Sequence, residues 1–178
     1  KTGTKILLFS FNCMTKILLL SDTHSFMDDQ ILKYVKQADE IWHAGDIGDL
    51  NVTDTIKKLK PLKAVYGNID DATARLEFPL HNRFLCEQVD VWITHIGGYP
   101  GKYNINMREE IKRNPPKIFI AGHSHILKVQ FDKQLQCLHL NPGACGKHGF
   151  HKVRTMLRFE IDGSDIKNME IIELEQRT

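Results

Sequence analysis

Lys16-Ile-Leu-Leu-Leu-Ser-Asp-Thr-His24 is the stretch on which the fold reading turns. Ile17, Leu18, Leu19 and Leu20 leave no polar face, which suits a strand buried on both sides. Ser21-Asp22-Thr23-His24 then breaks the apolar run with small polar residues, so the strand ends in a loop bearing a carboxylate and an imidazole. Met27–Ala38 follows, with Ile31, Leu32, Val35 and Ala38 on one helical face. Asp28 and Asp29 fall in its first turn, where acidic groups oppose the positive end of the helix dipole. A buried strand, a polar loop and an amphipathic helix make one βα unit.

The pattern repeats outward from this stretch. Glu40–Ala44 reads as the second strand, and Val52, Ile56 and Leu59 recur at helical spacing until Pro61 stops the helix. Leu62–Tyr66 makes the third strand, so the first half predicts three βα units. In the second half Val89–Thr94 and Lys117–Ala121 are continuous apolar strands. Leu127–Phe131, Gln136–Leu140 and Val153–Ile161 alternate, which predicts antiparallel strands with one buried face. The mixture points to an α/β fold in which two mixed sheets pack together and helices lie outside them.

The chain has 178 residues, 42% of them hydrophobic and 26% charged, with Lys+Arg 24 against Asp+Glu 22 and a formal net charge of +2. That length fits one domain with a sizeable core. So small a net charge gives no field of the kind that draws a protein to nucleic acid or a membrane surface. A nuclease is disfavoured for the same reason. Cys13, Cys86, Cys137 and Cys145 form no CxxC pair, which suits a reducing cytoplasm. The apolar runs within Lys5–Leu20 are too short to span a bilayer, and Asn12 is unlike the small residue a cleavage site ahead of Cys13 would want. Met14 reads as the start of the domain, 14–178, with residues 1–13 as an extension suited to a sheet edge or an oligomer contact.

The chemistry lies at the C-terminal ends of the strands, where the loops of an open α/β sheet diverge and ligands gather. Ser21-Asp22-Thr23-His24 follows the first strand, Ala44-Gly45-Asp46 the second and Gly67-Asn68-Ile69-Asp70 the third. Thr94-His95 and Gly122-His123-Ser124-His125 close the next two. Carboxylate, imidazole and carboxamide suit Mn²⁺, Fe, Zn²⁺ or Ni²⁺, and the thiolates of a structural zinc site are missing from every loop. In extended backbone, residues two apart project to one side, so Asp-x-His and His-x-His can chelate without bending the chain. No GxSxG elbow and no Walker A loop is present, so neither a serine nucleophile nor a nucleotide cradle is offered.

This ordered set resembles the calcineurin-like metallophosphoesterase superfamily, in particular its small cap-less bacterial and archaeal phosphodiesterases, over nearly the whole chain from Lys16 onward. The resemblance implies a four-layer sandwich and two metal ions, with Mn²⁺ the first expectation. One ion would be held by Asp22, His24, Asp46 and His125. The other would take Asp46, Asn68, His95 and His123, with Asp46 bridging. A hydroxide between the two ions would then attack a small-molecule phosphodiester, and Asp46, Asn68 and His95 would be central to that reaction. Asn141-Pro142-Gly143 also resembles a family turn, which usually continues with Ser where this chain has Ala144. Many members carry a His after the Asn ligand to protonate the leaving oxygen; here Ile69 stands in its place, which favours substrates with good leaving groups. The alternative on the same fold is a non-catalytic interaction module like the retromer subunit. A homodimer or higher homo-oligomer is the assembly expected of a cap-less domain of this size.

Other residues carry weaker readings. His43 is a candidate for orienting a ligand, whereas His81, His139, His148 and His151 read as surface or packing residues. Asp70 reads as a helix cap or an orienting carboxylate. Lys102, Lys147 and Arg154 have no context that ties them to a phosphate. Gly97–Gly101 reads as a loop at the mouth of the site, suited equally to substrate contact and to turn chemistry. Trp42 and Trp92 read as core.

Overall fold

A computed structural model describes residues 14–150 and 152–176; the extension expected at 1–13, Cys13 and His151 lie outside the described residues. The expected three βα units open the chain: β1 Thr15–Leu20 and α1 Asp29–Gln37, β2 Glu40–His43 and α2 Asn51–Lys57, β3 Leu62–Ala64 and α3 Ala72–Glu77. The hairpin β4 His81–Cys86 and β5 Val89–Thr94 follows, then the short ribbon β6 Gly98–Tyr99 and β7 Lys102–Tyr103. After α4 Arg108–Arg113 come β8 Ile118–Ile120, β9 Lys128–Asp132, β10 Cys137–Asn141 and the long hairpin β11 Val153–Asp162 with β12 Asp165–Gln176. Met27 and Asp28 lie outside α1 because the Asp28 side chain caps it, accepting the Ile31 N–H at 2.9 Å.

Two five-stranded sheets result, ordered β12-β11-β1-β2-β3 and β4-β5-β8-β10-β9. In the first, β1, β2 and β3 are parallel and β11 and β12 add an antiparallel hairpin on one side; in the second, parallel β5, β8 and β10 are flanked by antiparallel β4 and β9. Ile17, Leu19, Trp42 and Phe159 of the first sheet pack against Val91, Ile93, Ile118 and Leu140 of the second. Trp42, fully buried, meets Phe84 of the facing sheet and Phe159 of its own edge-on at 5.3 and 5.5 Å. Removing so large a core side chain typically costs about 3–5 kcal/mol. Leu18, Leu20, Met156 and Ile172 turn to the outer face and meet Ile31 and Val35 of α1 and Val52 and Ile56 of α2. On the far side Trp92 and Phe119 pack against Ile111 of α4. Helix, sheet, sheet and helix make the four layers.

Two of the three alternating runs do not behave as one-faced strands. In β9, Val129, Gln130 and Phe131 are all exposed, because the strand lies at a sheet edge. In β11, Arg154 to Leu157 are buried in succession, because the strand lies between β12 and β1 with Met156 toward the helix layer and Leu157 toward the other sheet. Trp92 is core as expected, although its indole Nε1 has no partner.

His139 on β10 is 1% exposed beside Phe119 and Tyr103, and its Nδ1 has no partner. Burial, aided by Lys128, pushes its pKa from 6.5 down to about 4. The unfolded chain therefore binds the extra proton between those values, and stability falls as the pH drops through that window. Unfolding by denaturant at pH 7.5 and 4.5 should show the parent losing roughly 2 kcal/mol more than His139→Leu. Equal losses would sink the idea.

Candidate metal centre

Strand register explains why distant loops meet. Leu20 pairs with His43 and His43 with Ala64, so β1, β2 and β3 end at one level. In the other sheet Ile93 pairs with Ile120 and Ile120 with Leu140. The loops continue the ladder past the strands: Asp22 N–H donates to Gly45 O at 3.0 Å and His24 N–H to Asp46 O at 3.1 Å. The connection from β10 to β11 docks on this edge through Cys145 N–H to Ser21 O at 3.1 Å. Asp22, His24, Asp46, His123 and His125 all have positive φ, between 46° and 65°. A non-glycine residue held there costs about 1 kcal/mol or more, and such strain persists only where the surroundings enforce it.

Two groups of ligand atoms form, each with all its atoms within 4.8 Å of one another: Asp22, His24, Asp46 and His125, then Asp46, His95 and His123. Asp46 belongs to both. Its Oδ2 lies 3.6 Å from His24 Nε2 and its Oδ1 lies 3.1 Å from His95 Nε2, while His125 Nε2 is 3.0 Å from Asp22 Oδ1. Asn68 Oδ1 stands 3.2 Å from the same His95 nitrogen. The seven residues singled out in the sequence thus converge on one cluster.

The hydrogen bonding around the cluster suits a cation. His95 Nδ1 donates to Ala44 O at 2.7 Å, which fixes the tautomer and turns Nε2 toward the oxygens of Asp46 and Asn68. An unprotonated Nε2 there sets a lone pair against acceptors, so a proton or a metal ion is needed. Burial opposes charge on His95, but the Asp46 hydrogen bond and the Asp22 and Asp46 charges outweigh it and raise its pKa. Burial likewise pushes Asp46 up, yet His95 and the Ile69 N–H hold it below the usual carboxylate range. Burial lowers His24 against the pull of Asp46 and Asp22. Both Asp22 oxygens and His24 Nε2 are buried without a hydrogen-bond partner. A buried carboxylate whose oxygens accept no hydrogen bond is costly even with the His125 imidazole 3.0 Å from Oδ1; a divalent ion meets that need, and the donor set fits one.

His43 acts through the loops. It is fully buried, and its Nδ1 accepts the Gly45 N–H at 3.1 Å. Nε2 therefore carries the proton and donates to Thr23 Oγ1 at 3.0 Å, while that hydroxyl donates to Ile47 O at 2.9 Å. Burial pushes its pKa down to about 4, which keeps this neutral form. Asp70 is an orienting carboxylate: it accepts the N–H groups of Gly48 and Gly67, each at 2.7 Å, and ties the second loop to the third. The cap of α3 is instead Asp71. Asn141 steadies the histidine loop, its Nδ2 donating to Gly122 O at 2.9 Å.

A cleft of about 580 Å³ opens over the cluster, lined by His24, Asp46, Asn68, His123 and His125, and also by Ile69, Ile126, His148 and Phe150. His148 is exposed as the sequence reading had it, but exposed into this cleft, its ring 4.6 Å from that of His24. No local pattern marks it; only the fold of the 144–150 loop brings it there. Arg154 is buried and structural, donating to Cys145 O and Asp28. Lys147 lies over Phe26, and Gly97–Gly101 forms part of the β6–β7 ribbon outside the cleft lining.

Among curated proteins, the chain is 29% identical to a probable metallophosphoesterase of Methanocaldococcus jannaschii, over 71% of this chain and 66% of that one, so it spans just under two-thirds of that relative's length. The structure of an archaeal phosphodiesterase is similar with a TM-score of 0.68 and 22% identity, covering 90% of this chain and 100% of that one. Zinc-complexed Vps29 from Entamoeba histolytica is similar in fold at 14% identity and a TM-score of 0.69, covering 89% of this chain and 99% of that one. The family model for the calcineurin-like phosphoesterase superfamily domain matches residues 15–164, which takes in all five ligand-bearing loops. With most of its length accounted for in this way, the chain belongs to the calcineurin-like phosphoesterase superfamily.

Proposed function

We propose that this protein is a phosphodiesterase whose single domain, 14–178, holds a pair of divalent cations, Mn²⁺ first among them. The observation that carries this is the position of Asp46 in both ligand groups. Asp22, His24, Asp46 and His125 would hold one ion, and Asp46, Asn68, His95 and His123 the other. Such a pair, when bound, supplies Lewis-acid activation of water and neutralises charge on the phosphoryl oxygens. Ala44 keeps His95 in the ligating tautomer, and the Ile69 N–H holds the Asp46 carboxylate in place at 3.1 Å. No Lys or Arg lines the cleft among the described residues. A singly charged diester needs less neutralisation than a doubly charged monoester, so the lining favours the diester. Ile69 also brings no proton donor to its place in the cleft, which favours leaving groups that depart as stable anions.

The test is metal analysis of the purified protein followed by turnover with Mn²⁺. Two ions per chain and faster cleavage of an aryl phosphodiester than of phosphoserine are expected; the opposite substrate order would overturn the reading. The Vps29 likeness supports a second reading, an interaction module without catalysis, and that reading predicts no turnover of either ester at full metal loading.

A further inference from the structure

The walls of the metal-site cleft are unusual for a site that receives an anion. Ile69 is 45% exposed, Ile126 61% and Phe150 fully exposed, and all three line the cleft over the ligand cluster. Each is a large apolar side chain left in water beside buried carboxylates and imidazoles. Ile69 and Ile126 follow, by one residue each, the ligand residues Asn68 and His125, so the cluster that positions the phosphate also positions them. Exposed apolar surface of this kind marks a binding surface when it is contiguous with a polar anchor. The occupant follows from the same lining: its anionic end is met by the ions that the ligand cluster would hold, and the remainder lies against isoleucine and phenylalanine, with no Lys or Arg in the lining of this cleft among the described residues.

We infer that Ile69, Ile126 and Phe150 form a subsite for one apolar ester arm, aryl or alkyl, of a phosphodiester substrate, in preference to a sugar or other hydroxylated arm. This rests on the phosphodiesterase reading and names the substrate class within it. Removing most of a phenyl ring from water against such walls raises affinity by about 10-fold or more. The chemistry is simple hydrolysis: water oxygen forms the new bond to phosphorus, the ester P–O bond breaks, and the departing oxygen leaves as an anion or takes the proton released by the water.

Binding separates this inference from the activity itself. The Zn²⁺-loaded protein is titrated by calorimetry with dimethyl phosphate, diphenyl phosphate and inorganic phosphate, with isoleucine methyl NMR following Ile69 and Ile126. Diphenyl phosphate is expected to bind at least 10-fold more tightly than dimethyl phosphate and to shift both methyl signals. Ile126→Ser and Phe150→Ser should each lower that ratio about threefold or more, whereas Leu85→Ser, 69% exposed on the β4 edge strand, should leave it unchanged. Equal binding of the two diesters, or a ratio unmoved by the cleft variants, overturns the apolar subsite and leaves the phosphodiesterase reading intact. Binding of inorganic phosphate with neither diester bound overturns both.

Discussion

Asp46→Asn is expected to lower turnover of an aryl phosphodiester by about 1,000-fold or more at saturating Mn²⁺, and Asp46→Ala to abolish it. Asn keeps the volume but loses the charge and one oxygen, and both oxygens are in use: Oδ1 stands 3.1 Å from His95 Nε2 and Oδ2 3.6 Å from His24 Nε2. Among the described residues, no other belongs to both ligand groups. A loss of about 4 kcal/mol of charge stabilisation in the transition state corresponds to that 1,000-fold. Metal analysis of the same variant should give fewer ions per chain than the parent. A variant that keeps two ions and more than a tenth of the parent kcat would remove Asp46 from the bridging position. Asp46 lies among buried groups, so a thermal melt of each variant belongs with the assay to separate loss of fold from loss of ligand.

Gly67→Ala should be nearly as damaging, although Gly67 offers no ligand side chain. A Cβ placed there would fall 2.1 Å from Asp46 Oδ1 and 2.3 Å from the Asp46 backbone nitrogen, far inside any tolerated contact. The Asp46 loop must retreat, and the Asp70 carboxylate that bonds the Gly67 N–H at 2.7 Å and the Gly48 N–H at 2.7 Å resists that movement. Overpacking of this kind costs about 1–3 kcal/mol. Displacement of a reacting geometry by about 1 Å costs on the order of 100-fold in rate. Denaturant unfolding and turnover should therefore both fall, with the rate losing about 100-fold at full metal occupancy or the occupancy itself collapsing. Parent-like activity in a folded Gly67→Ala protein would show that the third loop does not press on the second.

The effects differ in how visible their causes were. Asp22, His24, Asp46, Asn68, His95, His123 and His125 all stand just after apolar runs, and that placement is a local property of the chain. The crowding between Gly67 and Asp46 joins residues twenty-one apart, and nothing in either neighbourhood announces it. The same holds for His148, which reaches His24 across the whole fold, and for Asp70, whose two bonds fasten separate loops. Among the elements, β1, β5 and β8 were plain because burial on both faces makes them apolar over most of their length, with Asp90, the charged residue of β5, held by Arg83. The strand β4, His-Asn-Arg-Phe-Leu-Cys, lies at a sheet edge and shows no clean period. Helix α4 is six residues long with Ile111 alone buried, too short to show a helical repeat. The alternation in Val153–Ile161 misled because β11 is covered on both faces, so its polar positions Arg154 and Thr155 are buried, Arg154 donating from Nε to Cys145 O and from Nη1 to Asp28 and Thr155 from its hydroxyl to Pro142 O.

Residue order was enough to establish an α/β chain, the strands at its centre and the identity of seven metal-ligand candidates, because burial and ligand chemistry are written into single side chains and their immediate spacing. The shared position of Asp46 came only through the family resemblance, and residue order was silent on the left-handed backbone at five of the ligands and on the apolar wall beside them. Those follow from the pairing of Leu20 with His43, His43 with Ala64 and Ile93 with Ile120, and from the packing of one sheet on the other. Distances between loops are set by contacts among residues far apart in the chain, and such contacts exist only once both sheets have closed on a common core.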